Sequence, residues 1–256
     1  MKPRTRHISY CFSPTRPLWD RAAEYERTSW PSRGIRHILR IWDGHAADRV
    51  DQFVAISEHV KKRIKKYYQR DALVIYPPLS LTVPDTAGEL SLSIPKPFYL
   101  IESRHHTYKN IHIAVDTFNK LGYTLVIVGT GPARKRLERM AKANIRFLGF
   151  QDDQTIATLY AHCRAFIMPQ EEDFGLTALE AMSAGKPVLA LRRGGALETV
   201  REGITGEFFD DPIPEGLADG VRRLNDRYDH YDISVMREHA RQFSDEQFRR
   251  SMHFLV

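Results

Sequence analysis

The stretch LVIVGTGPARKRLERMAKANIRFLGFQDDQTIATLYAHCRAFIM, Leu125–Met168, decides the fold. It contains three short apolar runs, Leu125–Val128, Ile145–Leu148 and Ala165–Met168. Two helical patterns separate them. Leu137 and Met140 recur after Pro132, a residue suited to a first helical turn. Ile156, Leu159 and Tyr160 follow Asp152–Asp153, a pair able to cap a helix start. The alternation continues outward on both sides. Phe98–Ile101 precedes it, Val188–Leu191 and Glu207–Phe209 follow it, and Ile111, Val115 and Phe118 share one helical face. Short apolar strands alternating with helices of about ten residues imply a parallel sheet covered on both faces. Right-handed crossovers then make an α/β, doubly wound, Rossmann-like domain.

The composition agrees with that reading. Of 256 residues, 42% are hydrophobic and 27% charged, which supports a true core and excludes wholesale disorder. The formal charge of +6 suits an anionic small ligand or an acidic lipid surface and does not call for nucleic acid. Two cysteines, Cys11 and Cys163, exclude a disulfide framework and suggest a reducing, cytoplasmic setting. No apolar run approaches the roughly 18 residues of a membrane span. The basic start, Met1–Cys11, has no apolar core behind it and does not read as a signal peptide.

The first 78 residues read differently. Trp, Arg and His are dense from Trp19 to His45, and one helix–strand–helix block runs from about Ile38 to Tyr68, with Phe53–Ile56 as the strand. Tyr76–Ala87, with Pro77, Pro78 and Pro84, resembles a linker. The tail from Ile213 to Val256 is helical and charged.

Five segments could carry chemistry. In EEDFGLTALEAMSAGKPVLA, Glu171–Ala190, a loop ends at Phe174–Gly175 and a helix begins. The free N–H groups of its first turn, over Phe174, Gly175, Leu176 and Thr177, form an anion site. Glu172 in the loop and Glu180 along the helix are carboxylates, good acceptors for vicinal hydroxyls. One anion site between two diol-binding carboxylates fits a nucleotide diphosphate sugar; an acidic first helical turn is the plainer alternative. In SRHHTYKN, Ser103–Asn110, Arg104 and Lys109 follow a strand, where open parallel sheets bind ligands. Two cations there suit a diphosphate, or else simply form a solvated basic loop. His105 and His106 lack a third ligand at useful spacing, so no metal is assigned. Gly129-Thr130-Gly131-Pro132 has the order of a dinucleotide fingerprint, but Arg134 stands in place of the third glycine, which favours an ordinary strand-to-helix turn. Gly194-Gly195 is a further turn into a helix. The run KKRIKKYYQR, Lys61–Arg70, reads as an amphipathic helix whose basic side is solvated or meets an anionic membrane.

Taken in order, these pieces resemble a retaining glycosyltransferase of family 4, with the GT-B fold. Ser103-Arg104 with Lys109 resembles the arginine and lysine that hold the donor diphosphate. Val128-Gly129-Thr130-Gly131-Pro132, Ile145–Gly149, Gly185-Lys186-Pro187-Val188, Gly194-Gly195 with Glu198 and Gly203-Ile204-Thr205-Gly206 resemble further family motifs. Glu172 through Glu180 resembles the family's pair of glutamates with seven residues between them. Within the family, Tyr10–Arg16 with Trp19-Asp20 is similar to a YCHxPxRxxWD segment of bacterial polysaccharide and O-antigen mannosyltransferases. Phe12 stands where that segment has His.

The resemblance implies transfer of a hexose, mannose from GDP-mannose, to a glycan or lipid-linked acceptor, with retention at the anomeric carbon. Arg104 and Lys109 would neutralise the leaving diphosphate. Glu172 would position the sugar, Glu180 the ribose, and Gly129, Gly131, Phe174, Gly175, Leu176 and Thr177 would bind the rest of the donor. The donor is a substrate, so no cofactor and no metal are implied. Residues 79–240 would be the complete donor domain, 1–78 the end of an acceptor-side domain plus linker, and 241–256 a helix packing back toward that part. Roughly the first hundred residues of a full enzyme are expected to be missing, which points to a missing-half partner or a homo-oligomer. A non-catalytic nucleotide-sugar-binding module is the alternative, and an NAD-dependent oxidoreductase is a third reading that Arg134 opposes. The expected location is cytoplasmic, peripheral at the inner membrane through Lys61–Arg70.

Overall fold

The structure is a computed structural model that describes residues 5–20, 30–79, 81, 83, 88, 90 and 92–255. The chain divides into two compact units, Met1–Pro77 with Phe248–Val256, and Pro78–Gln247.

In the larger unit six strands form one parallel sheet: β4 (Phe98–Glu102), β5 (Thr124–Val128), β6 (Ile145–Gly149), β7 (Ala165–Met168), β8 (Val188–Leu191) and β9 (Gly206–Phe209). They are arranged β6-β5-β4-β7-β8-β9. Every residue of β7, β8 and β9 is buried, as strands covered on both faces require. Leu125, Val126 and Ile127 of β5 are fully buried as well, each contributing about 1.5–3 kcal/mol by leaving water. The connecting helices are α3 (Ile111–Leu121), α4 (Arg134–Met140), α5 (Asp153–His162), α6 (Leu176–Ser183), α7 (Ala196–Thr199) and α8 (Pro214–Asp226); α9 (Ile233–Arg241) packs on α6. Local sequence sets their ends. Asp152 caps α5 by accepting the Thr155 N–H at 2.7 Å. Gly122, at φ +75°, closes α3, its N–H reaching the Phe118 carbonyl.

The sheet order is that of a doubly wound fold. Connections run outward from β4 to β5 and β6, then return to β7 on its other side. The crevice between the carboxyl ends of β4 and β7 is therefore the topological switch point, where such sheets bind ligands.

The smaller unit has a three-stranded parallel sheet, β1 (Ile8–Cys11), β2 (Gln52–Ala55) and β3 (Ala72–Val74), in that order. Helices α1 (Trp30–Asp48) and α2 (Glu58–Tyr68) follow β1 and β2. The strand expected at Phe53–Ile56 begins one residue earlier and ends at Ala55, although the Ile56 N–H still reaches the Cys11 carbonyl at 3.3 Å. Neither β1 nor β3 was expected from the sequence. Asp43 ties this unit together, accepting from Trp19 Nε1 at 2.7 Å, Tyr68 OH at 2.9 Å and Thr15 Oγ1 at 2.8 Å. The last helix, α10 (Asp245–His253), places Phe248 edge-on against Tyr10 at 5.6 Å between centroids. Of the linker expected at Tyr76–Ala87, residues 80, 82 and 84–87 lie outside the described residues.

Candidate functional site

Two loops meet at the switch point. The first leaves β4 and contains Ser103, Arg104 and a short 3₁₀ turn, Thr107–Lys109. It is laced to the turn after β5: the Ser103 N–H donates to the Val128 carbonyl, His105 N–H to Thr130 at 2.8 Å, and Ala133 N–H to His105 at 2.9 Å. This contact explains the glycines of the GTGP turn. A β-carbon at Gly129 would lie 2.1 Å from the Ser103 carbonyl oxygen, and one at Gly131 would lie 2.7–2.9 Å from the His105 backbone. The His105 ring is fully buried edge-on to Phe147, and burial lowers its pKa, so the imidazole is neutral. Arg134, where a dinucleotide fingerprint has its third glycine, pairs with Glu138 at 2.7 Å and reaches over Gly149.

The second loop leaves β7 and carries Gln170, Glu172 and Phe174. Lys109 Nζ bridges the loops, donating to Glu172 Oε1 at 2.5 Å. Gln170 Nε2 donates to the same oxygen at 2.8 Å, and Asn110 Nδ2 reaches the Pro169 carbonyl at 3.2 Å. Both members of the ion pair are mostly buried, with 14% of Lys109 and 20% of Glu172 side-chain surface exposed. The Glu172 backbone is clamped from behind: the Gly195 N–H donates to its carbonyl at 2.8 Å. A β-carbon on Gly195 would meet the Phe174 backbone at 2.3 Å, so the double glycine lets the loop before α7 lie against the acidic loop. Arg104 is exposed, and its guanidinium has no hydrogen-bond or ion-pair partner among the described residues.

These groups border a cavity of about 460 Å³. Of the residues singled out in the sequence, Arg104, Lys109, Glu172, Gly129 and Thr177 line it. So do Glu102, Thr130, Phe150, Gln151 and Ile156, which the sequence reading missed. Other expected residues stand behind the wall. The Phe174 ring is 3% exposed and packs edge-on against Phe243 at 5.6 Å, which leaves only its backbone for a ligand. Gly175, at φ +101°, is the N-cap of α6 and starts a helix whose first N–H groups have no intrahelical acceptor. Leu176 is half-buried in that first turn, and Gly131 serves the His105 contact. Glu180 is buried within α6, 3.4 Å from the Tyr160 hydroxyl. Gln170 gave no sequence signal beyond its place two residues before Glu172; its burial and its bond come only with the fold. Among the described residues, no cluster of three or more His, Cys, Asp or Glu is placed to hold a metal ion.

A doubly wound parallel sheet with cations and a carboxylate around a switch-point cavity defines a ligand-binding α/β domain suited to an anion with hydroxyls. More narrowly, residues 89–243 match the model of the glycosyl transferases group 1 family, and the chain belongs to that family. An uncharacterised glycosyltransferase of Methanocaldococcus jannaschii is 24% identical over 185 residues, 70% of this chain and 51% of the relative. Human alpha-1,3/1,6-mannosyltransferase ALG2 is 26% identical over 193 residues, 64% of this chain and 46% of its own. The crystal structure of Anabaena HepE in complex with UDP has the same fold, with a TM-score of 0.80 at 22% identity over 98% of this chain and 72% of HepE. The chain thus spans about half the length of the curated relatives it matches.

Proposed function

We propose that the cavity binds a nucleotide diphosphate sugar and that the chain takes part in retaining transfer of its hexose to a glycan or lipid-linked acceptor. The observation that carries this is the free guanidinium of Arg104 beside the Lys109–Glu172 pair at the switch point. In this reading Arg104, Lys109 and the first amides of α6 stabilise charge growing on the departing diphosphate, electrostatic catalysis that needs no proton transfer. Glu172, its Oε1 already held by Lys109 and Gln170, presents its other oxygen to a sugar hydroxyl. Glu180 serves the ribose. GDP-mannose is the donor we favour, supported by the Tyr10–Asp20 segment and by the likeness to a mannosyltransferase; the UDP bound to HepE makes the base the first thing to measure.

The test is calorimetric titration of the purified chain with GDP, UDP, ADP and NAD. Saturable binding of GDP is expected, with weaker binding of the others. Glu180→Ala should weaken every nucleoside diphosphate, whereas Glu172→Ala should weaken GDP-mannose and spare GDP. Binding of NAD alone, or of none of the four by folded protein, would refute the donor site.

A specific observation favours a second reading, a sugar-nucleotide-binding module that acts with a partner or a second copy. Phe12, where similar segments carry His, is 59% exposed and can neither give nor take a proton. Binding without transfer would select this reading.

Peripheral membrane contact is the third element. Residues 1–77 with 248–256 carry 18 Lys and Arg against 8 Asp and Glu, a formal +10, whereas residues 78–247 carry 20 against 24, a formal −4. Lys62, Lys65 and Lys66 of α2 are exposed. No helix of the described residues is long and apolar enough to cross a membrane. The chain is expected to sediment with phosphatidylglycerol vesicles at low salt and not with phosphatidylcholine vesicles. Replacing these three lysines with Glu should abolish the difference, each cation being worth about 1 kcal/mol near such a surface. Equal partitioning to both vesicles would remove the membrane from the reading.

A further inference from the structure

Glu102 ends β4, opposite Val128 of β5, and lines the cavity. Its Oε2 accepts the Tyr160 hydroxyl at 2.7 Å. The same phenol oxygen lies 3.4 Å from Glu180 Oε2, so one hydroxyl, with one proton to give, stands between two carboxylates. The shorter contact takes that proton. Burial, and then the charges of Glu102 and Glu180, push the phenol well above its usual pKa, so it remains a donor. Nothing comparable faces the other oxygen: Glu102 Oε1 has no hydrogen-bond partner among the described residues, and no Lys or Arg pairs with the carboxylate. Burial pushes the Glu102 pKa upward, the charge of Asp153 adds to this, and the Tyr160 hydrogen bond opposes it. A half-buried carboxylate without a cation is costly unless something donates to it, and Glu102 lines a cavity from which a ligand can donate. Arg104 and Lys109 line the same cavity on the loop side, Asp153 is the charged group nearest in effect to Glu102, and Glu180 is buried beyond the Tyr160 hydroxyl.

We infer that Glu102 is a binding residue for the nucleoside of the donor, its free oxygen accepting one ribose hydroxyl while Glu180 accepts the other. This rests on the donor-site reading above. It differs from that reading in assigning the diol to two carboxylates on different elements, β4 and α6, with the Tyr160 hydroxyl between them, 2.7 Å from Glu102 and 3.4 Å from Glu180. The side chain does no chemistry at the anomeric carbon. It sets the position of the ribose, and through it the diphosphate against Arg104. It also discriminates ribonucleotides from deoxynucleotides, because a missing hydroxyl leaves the carboxylate unsatisfied.

The experiment compares GDP and UDP with their 2′-deoxy and 3′-deoxy forms, by calorimetry on the whole chain. In the native protein each missing hydroxyl is expected to weaken binding about tenfold or more, as for hydrogen bonds to a charged group. In Glu102→Gln one of the two penalties should shrink to less than about threefold while the other persists, and Glu180→Gln should show the converse. Glu102→Met, of similar length and without an acceptor at that point, should repeat the Glu102→Gln result. The ratio within one variant is the readout, since general loosening of the site weakens both nucleotide forms alike. Both penalties unchanged in Glu102→Gln and Glu102→Met would overturn the assignment of Glu102 and leave the donor site standing. Failure of the native protein to bind any nucleoside diphosphate would overturn the donor site and this inference together.

Discussion

Lys109→Ala is expected to lower sugar transfer by about a hundredfold to a thousandfold, the usual loss when one preorganised charge is removed from the point where negative charge develops. Two effects combine. The diphosphate loses a cation, and Glu172, with its Oε1 2.5 Å from Lys109 Nζ, loses its ion partner. Removing one member of a mostly buried pair leaves an uncompensated charge, a larger penalty than the pair's own net contribution. That bare carboxylate would then repel the leaving group. The two effects separate in a double variant. Lys109→Ala with Glu172→Gln should recover nucleoside diphosphate binding, because the repulsion is gone, without recovering transfer. Lys109→Arg keeps the charge but brings a planar fork to a site where Gln170 already occupies the same Glu172 oxygen, and only partial activity is expected. Transfer within about threefold of the native rate in Lys109→Ala would take Lys109 out of the mechanism.

How far the site could be read before folding depends on where its parts lie along the chain. Arg104, Lys109 and Glu172 sit in strand-end loops, and a polar residue following a buried apolar run is conspicuous. The parallel strands themselves were legible for the same reason: Leu125–Val128 and Ala165–Met168 have no polar face to interrupt them. Glu102 was not, because a glutamate ending the run Phe98–Ile101 reads as the polar rim of a strand. Its meaning depends on Tyr160, 58 positions away, and on Glu180, 20 further on, which only the β4–β7 crossover and α5 bring together. Phe174 shows the converse. Its neighbours in the loop are functional candidates, yet its ring goes into the core against Phe243, a contact with no local signature. The small sheet failed for a different reason. All four residues of β1 are only half-buried, and β3 is three residues long, so neither has the apolar continuity that marks the larger sheet.

The double-glycine and GTGP turns read as turn chemistry in the sequence, and the structure gives them a second role that carries the other large effect. Gly129→Ala is expected to destabilise the protein by about 3 kcal/mol or more and to weaken nucleoside diphosphate binding at least tenfold. The backbone at Gly129 has φ +111°, a conformation that costs a side-chain-bearing residue of order 1–3 kcal/mol. Space adds to that. The new methyl would lie 2.1 Å from the Ser103 carbonyl oxygen and 3.0 Å from its carbon, which are backbone atoms and cannot rotate away. Gly129 cannot retreat either, since its N–H is bonded to the Gly149 carbonyl at 2.7 Å. The relief available is to push the Ser103–Arg104 segment outward, into the cavity that Arg104 lines, so the stability loss and the binding loss have one cause. Gly122→Ala isolates the conformational part: φ is +75° there and a β-carbon would meet nothing within 4 Å. That variant should lose about 1 kcal/mol and bind nucleotide as the native chain does. Thermal unfolding reads the difference, since each kcal/mol moves the midpoint by about 2–4 °C in a chain of this size. Equal midpoints for the two variants would mean that the close approach of the β4 and β5 loops does not hold Arg104 in place.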